Sequence, residues 1–277
     1  PKVDFVFKNI FGSPNHPEIL ISFLNATLKA KKKIVNVYIK KTDIEKQYIE
    51  DKYSRLDVKA TTSNDEIINI EIQLKNENNM VKRSLYYLSK MYEEQLNEKE
   101  DYSKLVRTVC INILNFKYLK TDNFHTGYRF KEIESNEELT DIMEVHFIEI
   151  PKLQDSSDEK DMLVAWTEFL KDPESEKVRG LELSIEEIRQ AKDELIRMSN
   201  DSTQRELYDM RANSLRDKMS ELNAAERKGI EKGREEGREE GRKEEKIKIA
   251  RNMKLSGLDT NTIAKITNLS EDEIDKL

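Results

Sequence analysis

Five prolines stand at positions 1, 14, 17, 151 and 173, and the 104 residues after the last contain none. A proline inside a helix removes a backbone donor and clashes with the preceding turn, so a stretch this long without one is free to run as long helices. Residues 226–248 sharpen that expectation, with 17 charged side chains out of 23, nine basic and eight acidic. Within them Gly229, Gly233, Gly237 and Gly241 recur at every fourth position. A helical Gly costs roughly 1 kcal/mol relative to Ala. Mixed charge with almost no apolar residue reads as a solvated helical linker held by Glu/Arg pairs one turn apart. A close helix–helix approach in a homo-oligomer is the other reading of the glycine stripe.

The tail, 249–277, reads as a small helical unit. Ser256 and Gly257 break one helix, Asp259 and Thr260 start a second, and Ser270 with Glu273 has capping-box spacing. Two short helices so spaced suggest a helix-turn-helix. The last of them carries Glu271, Asp272, Glu273 and Asp275, a face that phosphates repel, so a protein-docking or structural tail is preferred to a groove reader.

The first part alternates helix and strand periods. Pro17–Leu28 has Ile19, Leu20, Phe23, Leu24 and Leu28 at helical spacing, with Pro17 suited to a first turn. Residues 34–41, 55–60 and 67–74 alternate as strands, the last two joined by the turn-like Thr62-Ser63-Asn64-Asp65. Residues 81–96 form an amphipathic helix with Val81, Leu85, Leu88, Tyr92 and Leu96 on one face. Residues 107–116 and 145–150 read as buried strands. Strands followed by a crossover helix and more strands imply a mixed sheet flanked by helices. Beyond Pro151, residues 161–170 carry the only Trp, Trp166, on a helix, and 185–198 form another, with Ser184 and Glu187 spaced as a capping box. The expected organisation is an α/β domain at 1–155, a helical extension at 156–225, the charged linker at 226–248 and the helical tail at 249–277. Its expected core contains Phe23, Leu56, Ile70, Ile72, Leu85, Leu88, Ile111 and Ile113.

Composition removes several function classes. The net charge of -7 excludes a strongly basic nucleic-acid coat, so any such binding rests on a local patch, of which Lys29, Lys31, Lys32, Lys33, Lys40 and Lys41 are the candidate. One cysteine, Cys110, excludes an internal disulfide framework, and His16, His125 and His146 are too scattered to suggest a histidine metal cluster. The apolar runs are too short to cross a bilayer, and the first residues show no signal-peptide core. A cytoplasmic, reducing setting without membrane contact is expected.

Chemistry concentrates in the hairpin. Period two puts Ile68, Ile70, Ile72 and Leu74 on one face of the second strand and Asn69, Glu71 and Gln73 on the other. On the first strand Leu56, Val58 and Ala60 share the apolar face, and Arg55, Asp57 and Lys59 the polar one. Centred on Asn64, the hairpin sets residue i opposite residue 128 minus i, which puts Asp57 opposite Glu71 and Arg55 opposite Gln73. Directly opposed like charges destabilise a sheet. A cation between them would resolve the conflict, and oxygen ligands without His or Cys point to Mg²⁺ or Mn²⁺. The Gln73 amide could orient a water there. The competing reading is a solvated hairpin whose charges face water.

Asp57, Glu71 and Gln73 in this order resemble the PD-(D/E)XK nuclease signature, with Gln in place of Lys. Asp4-Phe5-Val6-Phe7-Lys8 with Phe11-Gly12, Ile21-Ser22-Phe23-Leu24-Asn25, Leu56-Asp57-Val58, Asn69-Ile70-Glu71-Ile72-Gln73 and Arg83-Ser84-Leu85-Tyr86-Tyr87 follow one another along the chain. As an ordered set they resemble the Rpn (recombination-promoting nuclease) family of PD-(D/E)XK proteins, also described as transposase-like, over residues 2–155, and the charged, Gly-spaced tail is similar too. The resemblance implies an αβββαβ restriction-endonuclease-like core and a magnesium-dependent DNA endonuclease linked to recombination or mobile elements in bacteria. It implies a metal held by Asp57, Glu71 and the carbonyl of Ile72, a water placed by Gln73, and Glu18 as the matching first-helix acid. Glu18 also suits the start of a helix on charge grounds alone. Arg83, Tyr87 and Lys90, spaced four and three apart, are candidate DNA contacts, or else a packed Tyr with a surface Arg. The other function class is a catalytically weak nuclease fold that binds DNA or docks a protein through its tail.

Overall fold

The computed structural model describes residues 1–29, 32–40, 58–76, 78–158 and 160–277. Asp57 lies outside them, as do Arg55, Leu56, Lys31 and Lys41. Two helices open the chain, α1 (Asp4–Phe11) and α2 (Pro17–Leu28), and α2 begins at Pro17 as its fixed φ favours. Asn25 of α2 brackets the backbone of Ile34, donating to its carbonyl at 2.8 Å and accepting from its N–H at 2.9 Å. That clamp leads the chain into β1 (Val37–Lys40), shorter than the 34–41 expected. β2 (Val58–Thr62) and β3 (Ile67–Gln73) form the hairpin, α3 (Met80–Glu93) crosses over, and β4 (Thr108–Leu114) returns. β5 (His125–Lys131) and β6 (Glu138–Glu149) complete a six-stranded sheet of order β1-β2-β3-β4-β6-β5. The β3–β4 and β4–β6 pairs are parallel and the others antiparallel, the mixed α/β arrangement expected of a PD-(D/E)XK core.

β5 has no counterpart in the sequence reading. It is a sheet edge, with Tyr128 and Phe130 about half exposed and register shifts after Tyr128, so the apolar alternation that marks a buried strand is missing. Among the described residues no strand follows β6.

The sheet's two faces bury different chemistry. On one, Ile68, Ile70, Ile72, Val109, Ile111 and Ile113 meet Phe7, Phe11, Phe23 and Trp166 in the main core. Trp166 stands edge-on to Phe11, centroids 5.3 Å apart, and belongs to α4 (Met162–Lys171). α5 (Glu176–Glu182) and α6 (Glu186–Asn200) add Val178, Leu181, Ile188 and Met198 to the same core. Asp161 caps α4, as its side chain accepts from the Leu163 N–H. The capping box expected for α6 does not form: the N-cap is Ile185, and the Ser184 hydroxyl instead donates to the Leu181 carbonyl.

The other face lies under α3, and here the sequence-derived helix face is rotated. Met80, Ser84, Tyr87, Leu88 and Met91 are buried, whereas Val81 and Leu85 are 41% and 48% exposed. The expected core position Leu85 is therefore a surface position. The strands beneath present Asn69, Glu71, Cys110 and Asn112, all fully buried, and α3 meets them with Ser84 and Arg83 among the larger Met80, Tyr87, Leu88 and Met91.

α7 (Ser202–Leu255) is one continuous 54-residue helix, as the proline-free stretch predicts. The chain divides into two compact units within it, Pro1–Asn213 and Ser214–Leu277. A Cβ added at Gly229, Gly233, Gly237 or Gly241 would meet nothing within 4 Å, so among the described residues no close packing demands these glycines. In the second unit α8 (Thr260–Thr267) and α9 (Glu271–Asp275) close on the end of α7 around Ala250, Ile263, Leu269 and Ile274. Gly257 takes φ +83° at the break, Asp259 caps α8, and Ser270 with Glu273 forms the expected capping box.

Candidate active site

The hairpin register is the one read from sequence. Val58 pairs with Ile70, Lys59 with Asn69, Ala60 with Ile68 and Thr61 with Ile67, each pair summing to 128. The turn is set by Asp65 in the left-handed region (φ 62°), which donates its N–H to the Thr62 carbonyl at 3.0 Å. Val58, the covalent neighbour of Asp57, is buried opposite Ile70.

The solvated reading of the polar face does not hold for β3. The Glu71 side chain is 1% exposed, enclosed between the sheet and α3. Removing a carboxylate from water costs several kcal/mol unless cations or donors replace the hydration. Arg83 of α3 supplies a cation, with Nε 3.4 Å from Glu71 Oε2. The same guanidinium faces one end of the Gln73 carboxamide; an arginine offers only donors, so that end is the oxygen, which accepts from Nη2 at 2.9 Å and from Nη1 at 3.3 Å. Its carbon lies 5.4 Å from the centre of the Tyr87 ring, one turn along α3. Glu71, Gln73, Arg83 and Tyr87 thus form one connected group.

A buried polar seam holds α3 in this position. Ser84 Oγ lies 2.8 Å from both the Met80 carbonyl and Asn112 Oδ1, and Asn112 donates to the His146 carbonyl at 3.1 Å. Burial first, and the Glu71 charge second, push the pKa of the Cys110 thiol beside it up to about 12.

The other candidate residues fall elsewhere. Lys90 pairs with Glu93 and Glu94, each at 3.7 Å, and Glu94 also meets Lys59 at 3.8 Å. Burial lowers the Lys59 pKa, with Lys40 acting the same way and Glu94 opposing. Tyr87 is 4% exposed and packs with Met91 and Ile67, which fits the packing alternative. Glu18 sits in the first turn of α2, in the helix layer of the opposite face, and accepts from His16 Nδ1 at 3.1 Å. It lines a cleft of about 740 Å³ with Ser22, Asn25, Lys29 and Asp161. Ile72 has its side chain in the main core and pairs with Ile113 of β4. Of the expected basic patch, Lys29 is tied to Asp161 at 3.2 Å.

A second polar cluster escaped the sequence reading. His125 Nε2 lies 2.9 Å from His146 Nδ1, and His146 Nε2 is 2.8 Å from Glu144 Oε1. Glu144 also meets Arg107, which reaches Glu66 at 2.6 Å, and Arg129 at 3.2 Å. Burial pushes the Glu144 carboxyl upward, but bonds from His146 and Arg107 outweigh it and hold it at about 2. His125 is lowered to about 4, by burial first and then by His146. Gly127 makes room: a Cβ there would come 3.0 Å from the His146 ring. Glu144 and His146 at alternate positions of β6 were the available signal, but β5 and Arg107 join them only in three dimensions.

The donors at Glu71 and Gln73 are hard oxygen and amide groups, which suits Mg²⁺ or Mn²⁺ rather than a thiophilic ion. Among the described residues no three His, Cys, Asp or Glu side chains are placed to hold a metal, and Asp57 lies outside those residues. No described helix is long and apolar enough to cross a membrane. Residues 1–225 match the family model described as PD-(D/E)XK nuclease family transposase, and residues 243–277 match that of the Rpn/YhgA-like nuclease family C-terminal HTH domain. No curated protein and no solved structure matches the chain.

Proposed function

The chain belongs to the PD-(D/E)XK nuclease family of transposases, and on that premise we propose that it is a metal-dependent DNA endonuclease that hydrolyses phosphodiester bonds. The observation that carries this reading is the placement of a buried Glu71 and a half-buried Gln73 on one polar face, tied together by one guanidinium. A purely structural strand would more simply bury apolar side chains there. In this reading the carboxylates of Asp57 and Glu71 and the main-chain carbonyl of Ile72 hold Mg²⁺ or Mn²⁺. Such an ion, when bound, supplies Lewis acidity toward a phosphoryl oxygen and lowers the pKa of a bound water. Gln73 positions the water, and the apolar face behind Ile70 and Ile72 keeps β3 fixed while it does so.

The biological setting that fits is recombination or mobile-element DNA in a bacterial cytoplasm. A second reading, a catalytically weak fold working through its tail, draws support from α9, where Glu271, Asp272 and Asp275 are exposed and repel phosphate. Incubation of supercoiled plasmid with the pure chain separates the two. The nuclease reading expects nicked or linear DNA with Mg²⁺ or Mn²⁺, none with EDTA, and none from Glu71→Gln. A folded chain that leaves the plasmid intact under every metal condition, retarded or not, supports the second reading instead.

A further inference from the structure

The Gln73–Arg83 contact fixes the polarity of the amide. Arg carries five N–H donors and no acceptor, so the end of Gln73 that meets it must be the carbonyl oxygen. The NH₂ end is then the one turned away from Arg83. Gln73 can therefore donate to a water or a phosphoryl oxygen, but it has no acceptor left on that side to take a proton from water. An ammonium at this position, as the K of the PD-(D/E)XK signature specifies, has the same donor polarity plus a positive charge. Gln73 lacks the charge, and Arg83 brings one to within hydrogen-bond distance of Gln73 and ion-pair distance of Glu71. The hydrogen bond from the guanidinium polarises the amide toward stronger donation.

We infer that Arg83 and Gln73 act as one unit that replaces the signature lysine: the guanidinium holds the amide oxygen so that the NH₂ faces the reacting groups, and it supplies the missing charge. This rests on the nuclease reading proposed above. It makes Arg83 a positioning residue rather than a phosphate contact. The supports of Arg83 are also supports of this unit: the Tyr87 ring beneath the guanidinium, and the Ser84–Asn112 contact that seats α3 on the sheet.

The test uses the full chain, plasmid DNA and Mg²⁺, with Arg83→Met, Gln73→Lys and the double variant, each checked by thermal melting. Arg83→Met should lower kcat by about 100-fold, with KM for DNA within about threefold of wild type. Gln73→Lys alone should also slow the reaction, because it sets an ammonium against Arg83. The double variant, in which the lysine supplies donor and charge together, should recover at least about tenfold over Arg83→Met. Arg83→Lys, which keeps the charge and loses the planar fork, should give an intermediate rate and stands in if Arg83→Met fails to fold.

A readout independent of cleavage comes from ¹H–¹⁵N spectra of the metal-free protein. The Gln73 side-chain NH₂ pair, identified by its loss in Gln73→Leu, should shift in Arg83→Met or Arg83→Lys. An unshifted pair overturns the inference, and so does an Arg83 variant that raises KM and leaves kcat intact, the behaviour of a phosphate contact. A double variant no faster than Arg83→Met, though folded, also overturns it. If the wild type cuts nothing while the Gln73 pair still responds to Arg83, the nuclease reading fails and the catalytic role falls with it.

Discussion

On one face of β3 and β4, Ile70, Ile72, Ile111 and Ile113 meet Phe11, Phe23 and Trp166; on the other, Glu71 meets Arg83 and Asn112 meets Ser84. Burial is nearly complete on both, with Ile70 and Glu71, neighbours in the chain, each at 0% exposure. The apolar face is non-directional: any well-shaped hydrocarbon fills it, and its free energy scales with area. The polar face is directional, since each donor needs a particular acceptor and an unmatched group costs free energy. The first face therefore gives stability and a rigid platform, and the second gives a defined arrangement of charge. A strand that carries both can hold a carboxylate still without solvent access, which suits chemistry at Glu71.

Truncations on the two faces should have different consequences. Ile70→Ala leaves a cavity in the main core and should cost about 2–5 kcal/mol in urea unfolding. Any cleavage that survives should keep its metal requirement, and a loss below about 1 kcal/mol would mean that this face is not the platform.

An intermediate effect is expected from the cluster at the β5–β6 edge. His125 is held at about 4, by burial and then by the neighbouring His146, whereas an unfolded histidine titrates near 6.5. The unfolded chain therefore binds more protons in that window, and stability falls as pH drops from about 6.5 to 4, by on the order of 2 kcal/mol. Glu144, held at about 2, continues the loss below that, in the same direction. Thermal melts of His125→Asn across this range should show a flatter profile than wild type. An equally steep profile would place the acid sensitivity elsewhere.

Ser84→Ala is the smallest perturbation, removing the hydroxyl that meets Asn112 and leaving the buried amide oxygen with one partner fewer. It should cost about 0.5–1.5 kcal/mol. Its distinctive consequence is on activity, because α3 carries Arg83: kcat should fall more than the melting temperature alone explains. If activity follows stability alone, the seam has no part in positioning.

Residue by residue, the apolar face was legible and the polar one only in part. The alternation of Ile68, Ile70 and Ile72, with a turn centred on Asn64, was enough to set the β2–β3 register to the residue. The helix over β3 was also legible, but its buried face only in part: Leu88 is buried as expected. Periodicity selected Val81 and Leu85, whereas the sheet beneath selects Ser84 and Tyr87. A hydrophobic pattern assumes an apolar surface underneath, and Asn69, Glu71 and Asn112 break that assumption. Arg83 was singled out by spacing, yet its contacts with Glu71 and Gln73 depend on that rotated face. The His125–His146–Glu144 cluster was hidden for a related reason: half of it lies on β5, an exposed edge strand with no buried alternation to reveal it.

The central claim is that the polar face of the hairpin is a divalent-cation site shared by Asp57 and Glu71. Calorimetric titration of Mg²⁺, and separately of Mn²⁺, into the wild type, Asp57→Asn and Glu71→Gln tests it most directly. The account predicts saturable binding to the wild type and a loss of affinity of at least about tenfold in each variant, with both variants still folded. Unchanged affinity in Asp57→Asn and Glu71→Gln would contradict it.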